Sequence, residues 1–322
     1  MGTESTRISP SNSPPAERRW RRLARHSGRG LLLSTLLLVV AWPIGQTFRD
    51  VNLLTALCFY IPSPVVAAAS FGWVAVFLLR SRRRRAAGFF ALAAPPLLVI
   101  LLLENRPFAR LPDPEPNTLR LVHWNVSYNL DEKPVRDLLA SERAELYAIT
   151  EQHLARYVDV FRDELGPDFR SAAFGDLAVV ARGELQDDGW LADHDELKVR
   201  KLTWTRADRP AVVFVVDLPS APWVPRDPLL AEVVGLIAAH RPDLVVGDFN
   251  APRRSHRLTE LPDGYRHAFD VVGAGCGYTW PVPAPVYALD QCLFSDRVIP
   301  VRYELKTSGW SDHRRQVFDF RW

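Results

Sequence analysis

A short apolar run that ends in Gly-Asp-Phe-Asn places a carboxylate and an amide where they could bind a cation and a phosphate. Residues 243–246 read Asp-Leu-Val-Val, which is typical of a buried strand, and Gly247 lets the backbone turn sharply after it. Asp248 and Asn250 are two residues apart, so in an extended chain their side chains point the same way. Oxygen ligands of this kind suit Mg²⁺. The alternative is a loop in which both residues only form a turn.

Four further predicted strands carry polar side chains at one end. Each strand is a short apolar or alternating run. The polar residues at their ends are, in chain order, Asn125, Glu151, Asp290 and the adjacent pair Asp312 and His313. Carboxylate, amide and imidazole groups that converge at strand ends are suited to metal-assisted chemistry on a phosphate.

In this order, the motifs resemble the endonuclease/exonuclease/phosphatase superfamily of Mg²⁺-dependent phosphoesterases, from about residue 117 to the C-terminus. The resemblance implies a four-layer αββα sandwich with the site at one edge of the paired sheets. It also implies Mg²⁺ or Mn²⁺ as the cofactor and hydrolysis by attack of water. The periodicity alone predicts only alternating strands and helices, which is an α/β fold.

The resemblance assigns a metal site to three residues. Glu151 would be the principal ligand, because Mg²⁺ usually takes only one or two carboxylates together with waters and phosphate oxygens. Asn125 would position the metal or a phosphate oxygen, and Asp312 would complete the metal shell. The alternative for Glu151 and Asn125 is a solvated acidic residue and a turn residue.

The resemblance assigns catalysis to four further residues. Asp248 would activate or orient the attacking water, and Asn250 would hold the phosphoryl group by hydrogen bonding. His313 would donate to the phosphate and stabilise charge in the transition state. Asp290 would hold the His313 ring in one orientation, as carboxylate–histidine pairs do elsewhere.

One position departs from the superfamily's pattern. Where members usually carry Asn-x-His-Leu on a central strand, this chain has Asp217 in place of the histidine. A carboxylate repels a phosphate unless it is protonated or bound to a metal. Asp217 therefore either recruits a second cation or marks altered or lost chemistry. A catalytically impaired binding or scaffold protein with the same fold is the main alternative function.

Trp280 and two cysteines in the C-terminal part leave alternatives open. The loop at 277–281 resembles the aromatic loop that flanks the superfamily's pocket, so Trp280 would contact a substrate; packing on Pro281 is the alternative. Cys276 and Cys292 could form a disulfide outside the cytoplasm or remain free thiols.

The N-terminal third contains three uncharged apolar stretches, at 30–48, 53–79 and 86–103. Each meets or approaches the ~20 residues that cross a bilayer as a helix. Two prolines interrupt the second stretch and two the third, where we expect kinks or a shorter span. A cleaved signal peptide is the alternative for the first stretch, but the later stretches and the lack of a clear small-residue cleavage site argue against it.

Arginines flank these stretches unevenly. Six lie at 18–29, just before the first stretch, and five lie at 80–85, whereas the loop at 49–52 carries only one. By the positive-inside rule, the tail at 1–29 and the loop at 80–85 are cytoplasmic. Three crossings within residues 30–104 then predict a multi-pass cell-membrane protein whose C-terminal part is extracytoplasmic. Nucleic-acid binding is the alternative for the arginines.

A change in charge accompanies the predicted domain boundary. A proline-rich segment at 105–116 is expected to be an extended tether before a catalytic domain at 117–322. The first 110 residues carry 15 Arg and 4 acidic residues; since the whole chain has a net charge of +3, the remainder carries about −8. Nucleases usually present basic surfaces. The expected partner is therefore a phosphorylated small molecule or a lipid-linked substrate at the membrane, and an extracytoplasmic nuclease is less favoured.

Overall fold

The computed structural model describes residues 15–127, 132–151, 158–194 and 197–322. Part of the predicted cytoplasmic tail, residues 1–14, lies outside the described residues. An N-terminal helical region is followed by a larger part built from strands and helices. The helical region consists of α1 Pro15–Phe48, α2 Leu53–Phe59, α3 Ser63–Leu79 and α4 Arg83–Val99, which continues into a π-helical turn at Ile100–Glu104.

Two of the described helical segments, His26–Phe48 and Arg83–Glu104, are long and apolar enough to cross a membrane. A third crossing would require α2 and α3 to act as one span, and these two helices are bent by 55°. The stretch predicted at 53–79 is therefore kinked, as its prolines indicated, and the three crossings stay a prediction. Pro62 lies in the break and cannot donate a backbone hydrogen bond, while Pro64 suits the first turn of α3.

The other two predicted stretches are helical. The stretch at 86–103 continues through Pro95 and Pro96 and ends in the π-helical turn. Many large apolar side chains of the helical region are exposed, among them Leu37 of α1 at 70% and Leu79 of α3 at 88%. Leucines exposed at this density are expected of a surface that faces other apolar groups, such as lipid chains.

Aromatic and hydroxyl side chains hold the helices together. The indole of Trp42 on α1 donates to Ser63 at the start of α3 at 3.2 Å, and that of Trp73 donates to Thr35 at 3.0 Å. These pairs run in opposite order along the two helices, so α1 and α3 are antiparallel. Phe77 of α3 packs on the ring of Phe89 of α4, with 5.5 Å between ring centroids.

The described part of the C-terminal region contains twelve strands in two six-stranded sheets. The strands are β1 Leu119–Asn125, β2 Leu146–Thr150, β3 Phe169–Phe174, β4 Leu177–Arg182, β5 Glu184–His194, β6 Leu197–Arg206, β7 Arg209–Asp217, β8 Leu244–Asp248, β9 Arg266–His267, β10 Asp290–Phe294, β11 Ile299–Lys306 and β12 Arg315–Arg321. The first sheet has the order β11-β12-β1-β2-β4-β3 and the second β5-β6-β7-β8-β10-β9. Most neighbours are antiparallel, but β1–β2 and β7–β8 are parallel.

The main hydrophobic core lies between the two sheets, where Leu121 and Phe318 of the first meet Val246 and Phe294 of the second. Helices cover the outer faces: they are α5 Glu132–Glu142 and α6 Val158–Leu165 on the first sheet and α7 Arg226–His240 on the second. A short helix, α8 Ala268–Val272, and a 3₁₀ turn at Arg257–Thr259 complete the region. The predicted α/β class is thus confirmed as a sandwich of two sheets.

The sandwich contacts one end of the helical bundle. The backbones of Arg106 and Gly275 form a pair of hydrogen bonds of 2.9 Å, and Arg302 donates to the carbonyl of Pro112 at 2.6 Å. The proline-rich segment therefore contacts the sandwich at Arg106 and Pro112. Its role as an extended tether stays a prediction. Asp50, just after α1, accepts from the backbone N–H of His256 at 2.7 Å.

Gly247 lies inside β8, although the sequence predicts a turn at this position. It pairs with Val216 on the parallel strand β7. A Cβ atom on Gly247 would lie 1.8 Å from the carbonyl oxygen of Val216, which is far inside van der Waals contact. A side chain here would force β7 and β8 apart.

We expect Gly247→Ala to lower the free energy of unfolding by about 3 kcal/mol, because overpacking in a well-packed core costs roughly 1–3 kcal/mol and here the obstacle is backbone. The measurement is the thermal unfolding midpoint from intrinsic fluorescence. Gly235→Ala in α7 is the matched control, since a Cβ there meets nothing within 4 Å. This control should leave the midpoint unchanged or raise it. Equal midpoints for the two variants would contradict the close approach of β7 and β8.

Candidate active site

Three aspartates lie side by side at the end of the second sheet. Strand pairing places Asp217 of β7 opposite Asp248 of β8, and Asp248 opposite Asp290 of β10. Paired residues on neighbouring strands project from the same face, so the three carboxylates form a row. All three side chains are buried, with Asp248 fully so. The register of the strands thus concentrates negative charge at one edge of the sandwich.

Burial and mutual repulsion disfavour the ionised forms of two of these groups. Burial, followed by the nearby charge of Glu151, raises the pKa of Asp217 to about 7. Burial and the charge of Asp290 raise the pKa of Asp248 well above its usual value. Lys198 of β6, opposite Asp217, is a positive charge at this end of the row. The sequence interpretation missed Lys198, because its place beside Asp217 depends on strand pairing.

His313 offsets the charge at the other end of the row. Its Nδ1–H donates to Asp290 Oδ2 at 2.9 Å, and its Nε2 lies 3.9 Å from Asp248 Oδ2. Burial alone would lower the pKa of His313, but the charge and hydrogen bond of Asp290 raise it to about 10. The same contact keeps the pKa of Asp290 below its usual value despite burial. His313 is therefore a cation that can donate a proton or a hydrogen bond.

The first sheet contributes Asn125 at the end of β1. Its amide Nδ2–H donates to Asp248 Oδ2 at 2.7 Å, which joins the two sheets across the site. Ser311 supports it: the hydroxyl donates to the Asn125 carbonyl at 2.7 Å and accepts from the backbone N–H of His313 at 3.0 Å. The sequence interpretation assigned no role to Ser311, although it lies within the Ser-Asp-His motif.

Three residues at the site adopt left-handed backbone conformations, which non-glycine residues rarely do. They are Ser127, Glu151 and Asn250, with φ of 54°, 60° and 45°. Each such residue costs of order 1–3 kcal/mol, and such residues cluster at functional sites. Asn250 is fixed by its backbone N–H, which donates to Asp248 Oδ1 at 2.8 Å, and by its side-chain amide, which donates to the Leu218 carbonyl at 2.7 Å.

A cavity of about 460 Å³ opens over these residues, and a volume in this range is typical of small-molecule sites. Glu151, Asn250, Asp312 and His313 line it, together with Trp280. Their convergence follows from the folded chain, since they come from separate strand ends. Tyr60 and Tyr287 also line the cavity, and no motif in the sequence indicated them.

Trp280 is part of the cavity wall and is not only packed on a proline. Its indole N–H donates to Asp312 Oδ2 at 2.8 Å. Its ring lies 5.9 Å from that of Tyr287 and 6.5 Å from that of His313, measured between centroids. One oxygen of Asp312 is therefore engaged, whereas its buried Oδ1 has no hydrogen-bond partner among the described residues.

The residues present fit a hard divalent cation. Carboxylate oxygens of Asp248 and Asp290 and a ring nitrogen of His313 all lie within 4.8 Å of one another, and the two carboxylates are the ligands available while His313 is protonated. The buried Oδ1 of Asp290, like that of Asp312, lacks a hydrogen-bond partner in the described ranges. Carboxylate and amide oxygens are the donors that Mg²⁺ and Mn²⁺ prefer. The predicted ligand Glu151 lies beside this group, since its side chain is hydrogen-bonded to Asn125 and its charge acts on Asp217.

The remaining expected residues fall outside this group. Asp217 is in the aspartate row but does not line the cavity. His123, to which the sequence analysis assigned no role, is fully buried; burial lowers its pKa to about 4, and its Nδ1 accepts from Gln316 at 2.8 Å. All three cysteines of the chain lie in the described ranges and are free, which leaves no disulfide between Cys276 and Cys292.

Solved structures share this fold at low sequence identity. Humanized TDP2 from D. rerio superposes with a TM-score of 0.51 at 16% identity, covering 64% of this chain and 99% of that chain. TDP2 from Caenorhabditis elegans superposes with a TM-score of 0.50 at 15% identity. The match covers 80% of this chain and 91% of that chain. The human nocturnin catalytic domain with bound sulfate has a TM-score of 0.48 at 15% identity. The match covers 63% of this chain and 94% of that chain.

At these identities, the likeness shows the fold alone. No curated protein sequence matches this chain. The sequence profile described as the Endonuclease/Exonuclease/phosphatase family matches residues 122–313, which is more than half of the chain and contains the aspartate row, Asn125 and His313. The chain therefore belongs to the endonuclease/exonuclease/phosphatase family.

Proposed function

We propose that this protein is a membrane-anchored, extracytoplasmic, metal-dependent phosphoesterase that hydrolyses a small or lipid-linked phosphoester or pyrophosphate by attack of water. Members of its family are typically metal-dependent hydrolases of phosphodiester bonds. The observation that carries the proposal is the row Asp217, Asp248 and Asp290, with His313 hydrogen-bonded to Asp290 at one end and lining the cavity. Buried carboxylates are held this close only where cations or protons compensate them.

Mg²⁺ or Mn²⁺ would be held by Glu151 with Asn125 and the free oxygen of Asp312, next to the aspartate row. When bound, the cation would supply Lewis-acid polarisation of the phosphoryl group and offset the carboxylate charge. Glu151 is positioned for this by its left-handed backbone at the end of β2, and Asn125 by its bond to Asp248.

The chain's own residues would carry the proton and charge changes. Asp248, whose two oxygens accept from the Asn125 amide and the Asn250 backbone, would orient the attacking water. Asn250 lines the cavity and would contact the phosphoryl group. His313 would donate to the developing negative charge through Nε2, while Asp290 fixes its ring through Nδ1.

The membrane assignment is supported by the exposed leucines of the helical region and by the two long apolar helices. The arginines at 80–85 lie at the turn between α3 and α4, at the far end of these helices from the sandwich. If this end is cytoplasmic, the sandwich is outside the cell. The charge of about −8 on residues 111–322 favours a small or lipid-linked substrate over a polynucleotide.

We expect the purified full chain to hydrolyse at least one phosphomonoester, phosphodiester or pyrophosphate in the presence of Mg²⁺ or Mn²⁺, and to lose this activity in excess chelator. Product release is measured across a panel that includes single-stranded and duplex DNA at low salt. Undiminished activity in chelator would rule out the metal-dependent mechanism. A folded protein with no turnover on the panel would favour the binding or scaffold alternative, and preferential DNA cleavage would favour a nuclease.

Asp248→Asn should lower kcat by about 100-fold or more, because it removes the proposed water-orienting carboxylate and keeps the shape of the side chain. Asp263→Asn, an exposed aspartate in the turn that precedes β9, is the matched control and should retain full activity. Circular dichroism confirms that both variants are folded. Turnover near the wild-type rate in Asp248→Asn would mean that the catalytic assignment is wrong.

Asp217→Ala should require a higher Mg²⁺ concentration for half-maximal rate, because it removes one of the carboxylates that attract cations to the site. Excess Mg²⁺ or Mn²⁺ should partly restore the rate. Asp217→His tests the other interpretation, in which Asp217 only replaces the family's histidine; that variant would then be faster than wild type. An unchanged metal dependence in Asp217→Ala, with a faster Asp217→His, would overturn the second-cation role.

For topology, we expect a reporter fused at residue 83 to be cytoplasmic and one fused at the C-terminus to be outside the cytoplasm. The two fusions are compared by activity of compartment-specific reporters and by protease access in intact cells. A protease-protected C-terminal reporter that is active in the cytoplasm would contradict the proposed orientation. Replacing the arginines at 82–85 by asparagine is the control, since it should weaken the preference.

A further inference from the structure

The catalytic cavity has one wall that comes from the helical region. Tyr60 lies in the break between α2 and α3 and lines the same cavity as His313 and Glu151. Its backbone carbonyl accepts a hydrogen bond of 2.6 Å from the hydroxyl of Tyr287 in the sandwich. The site is therefore incomplete without the segment that joins two membrane helices.

The Tyr60 hydroxyl is a buried donor with no hydrogen-bond partner in the part of the chain that the structure describes. An unsatisfied buried hydroxyl is costly, and in a cavity it marks a place where a ligand oxygen can bind. Aromatic rings connect this position to the catalytic end, because Tyr287 contacts Trp280 and Trp280 contacts His313. The wall from Tyr60 to His313 thus pairs hydrogen-bond donors with apolar ring faces.

Exposed apolar side chains lie close in the chain to two residues that line the cavity, Tyr60 and Pro222. Leu54 and Leu57 on α2 are 74% and 53% exposed. Trp223 is 72% exposed and immediately follows Pro222, which lines the cavity. Exposed leucine and tryptophan beside membrane helices are typical of the boundary between lipid headgroups and acyl chains.

The sandwich is held firmly at this boundary. Ser63 of α3 donates to Glu104 Oε1 at 2.8 Å, and Arg253 of the sandwich donates to the Glu104 carbonyl at 2.6 Å. Together with the bond from His256 to Asp50, these contacts join the ends of α1, α3 and α4 to the sandwich. A cavity fixed at this level meets the headgroups of the adjacent leaflet.

We propose that the substrate of this site is a lipid phosphoester, whose headgroup enters the cavity past Tyr60 from the adjoining leaflet while its hydrocarbon chains stay against α2. This rests on the proposed phosphoesterase function. The Tyr60 hydroxyl donates to a phosphate oxygen. Water adds its oxygen to phosphorus, one P–O ester bond breaks, and one water proton ends on the released ester oxygen while the other leaves to solvent or remains on the phosphate.

The test uses two p-nitrophenyl phosphodiesters that differ only in the second alcohol, ethyl or dodecyl; if only monoesters are hydrolysed, ethyl phosphate and dodecyl phosphate replace them. The full chain is assayed with Mg²⁺ in dodecyl maltoside micelles. We expect kcat/KM to be at least ten times higher for the dodecyl ester. Tyr60→Phe should lower both rates by about ten-fold or more, as for a hydrogen bond to a charged group.

The variants Leu57→Asp and Trp223→Ser should lower kcat/KM at least five-fold for the dodecyl ester and less than two-fold for the ethyl ester. Ile299→Asp is the matched control: Ile299 is 49% exposed at the end of β11 that pairs with Arg321, remote from the site, and its change should affect neither substrate. The lipid assignment alone would be overturned if the wild-type protein had equal kcat/KM on both esters. It would also be overturned if Leu57→Asp and Trp223→Ser lowered kcat/KM equally for both esters. No turnover of either ester class by the folded protein would overturn the lipid-phosphoester assignment. If pyrophosphates are not hydrolysed either, the proposed function is overturned with it.

Discussion

The structure has to compensate the electrostatic repulsion among three buried aspartates, which lie in one row across β7, β8 and β10. Asp248 in the middle cannot move away, because its two oxygens accept hydrogen bonds from Asn125 and Asn250. Lys198 and His313 supply positive charge at the two ends of the row. What remains uncompensated between them is the charge that a divalent cation would neutralise. The same repulsion that destabilises the fold therefore prepares the site.

The helical region also shapes the cavity. The break between α2 and α3 brings Tyr60 to the cavity, and Tyr287 holds that break in place by a hydrogen bond to its backbone. A straight second span would have carried this residue away from the cavity. The shape of the site therefore depends on the interruption at Pro62. The hydrogen bonds at Glu104 and Asp50 fix the position of the helical region relative to the sandwich.

Elements with a clear apolar pattern were predictable, and those without one were not. The strand predicted at 243–246 agrees with β8 to within two residues, because β8 is buried along its whole length. The long strands β5 and β6 escaped prediction. The side chains of β5 are mostly half-buried or exposed, and β6 alternates with Lys, Arg and Thr, so neither forms a continuous apolar run. Strand pairing, not local preference, stabilises them.

The residue order alone indicates which side chains could do chemistry, since Asp, Asn, Glu and His follow predicted strands in the order that resembles the family. It also determined the apolar stretches, because their length and lack of charge are local properties. Only the tertiary structure decided that Asp217, Asp248 and Asp290 share one row, since this depends on strand register between residues up to 73 positions apart. It likewise decided that Tyr60 completes the cavity. Contacts between distant segments are set by packing and pairing, which no local pattern encodes.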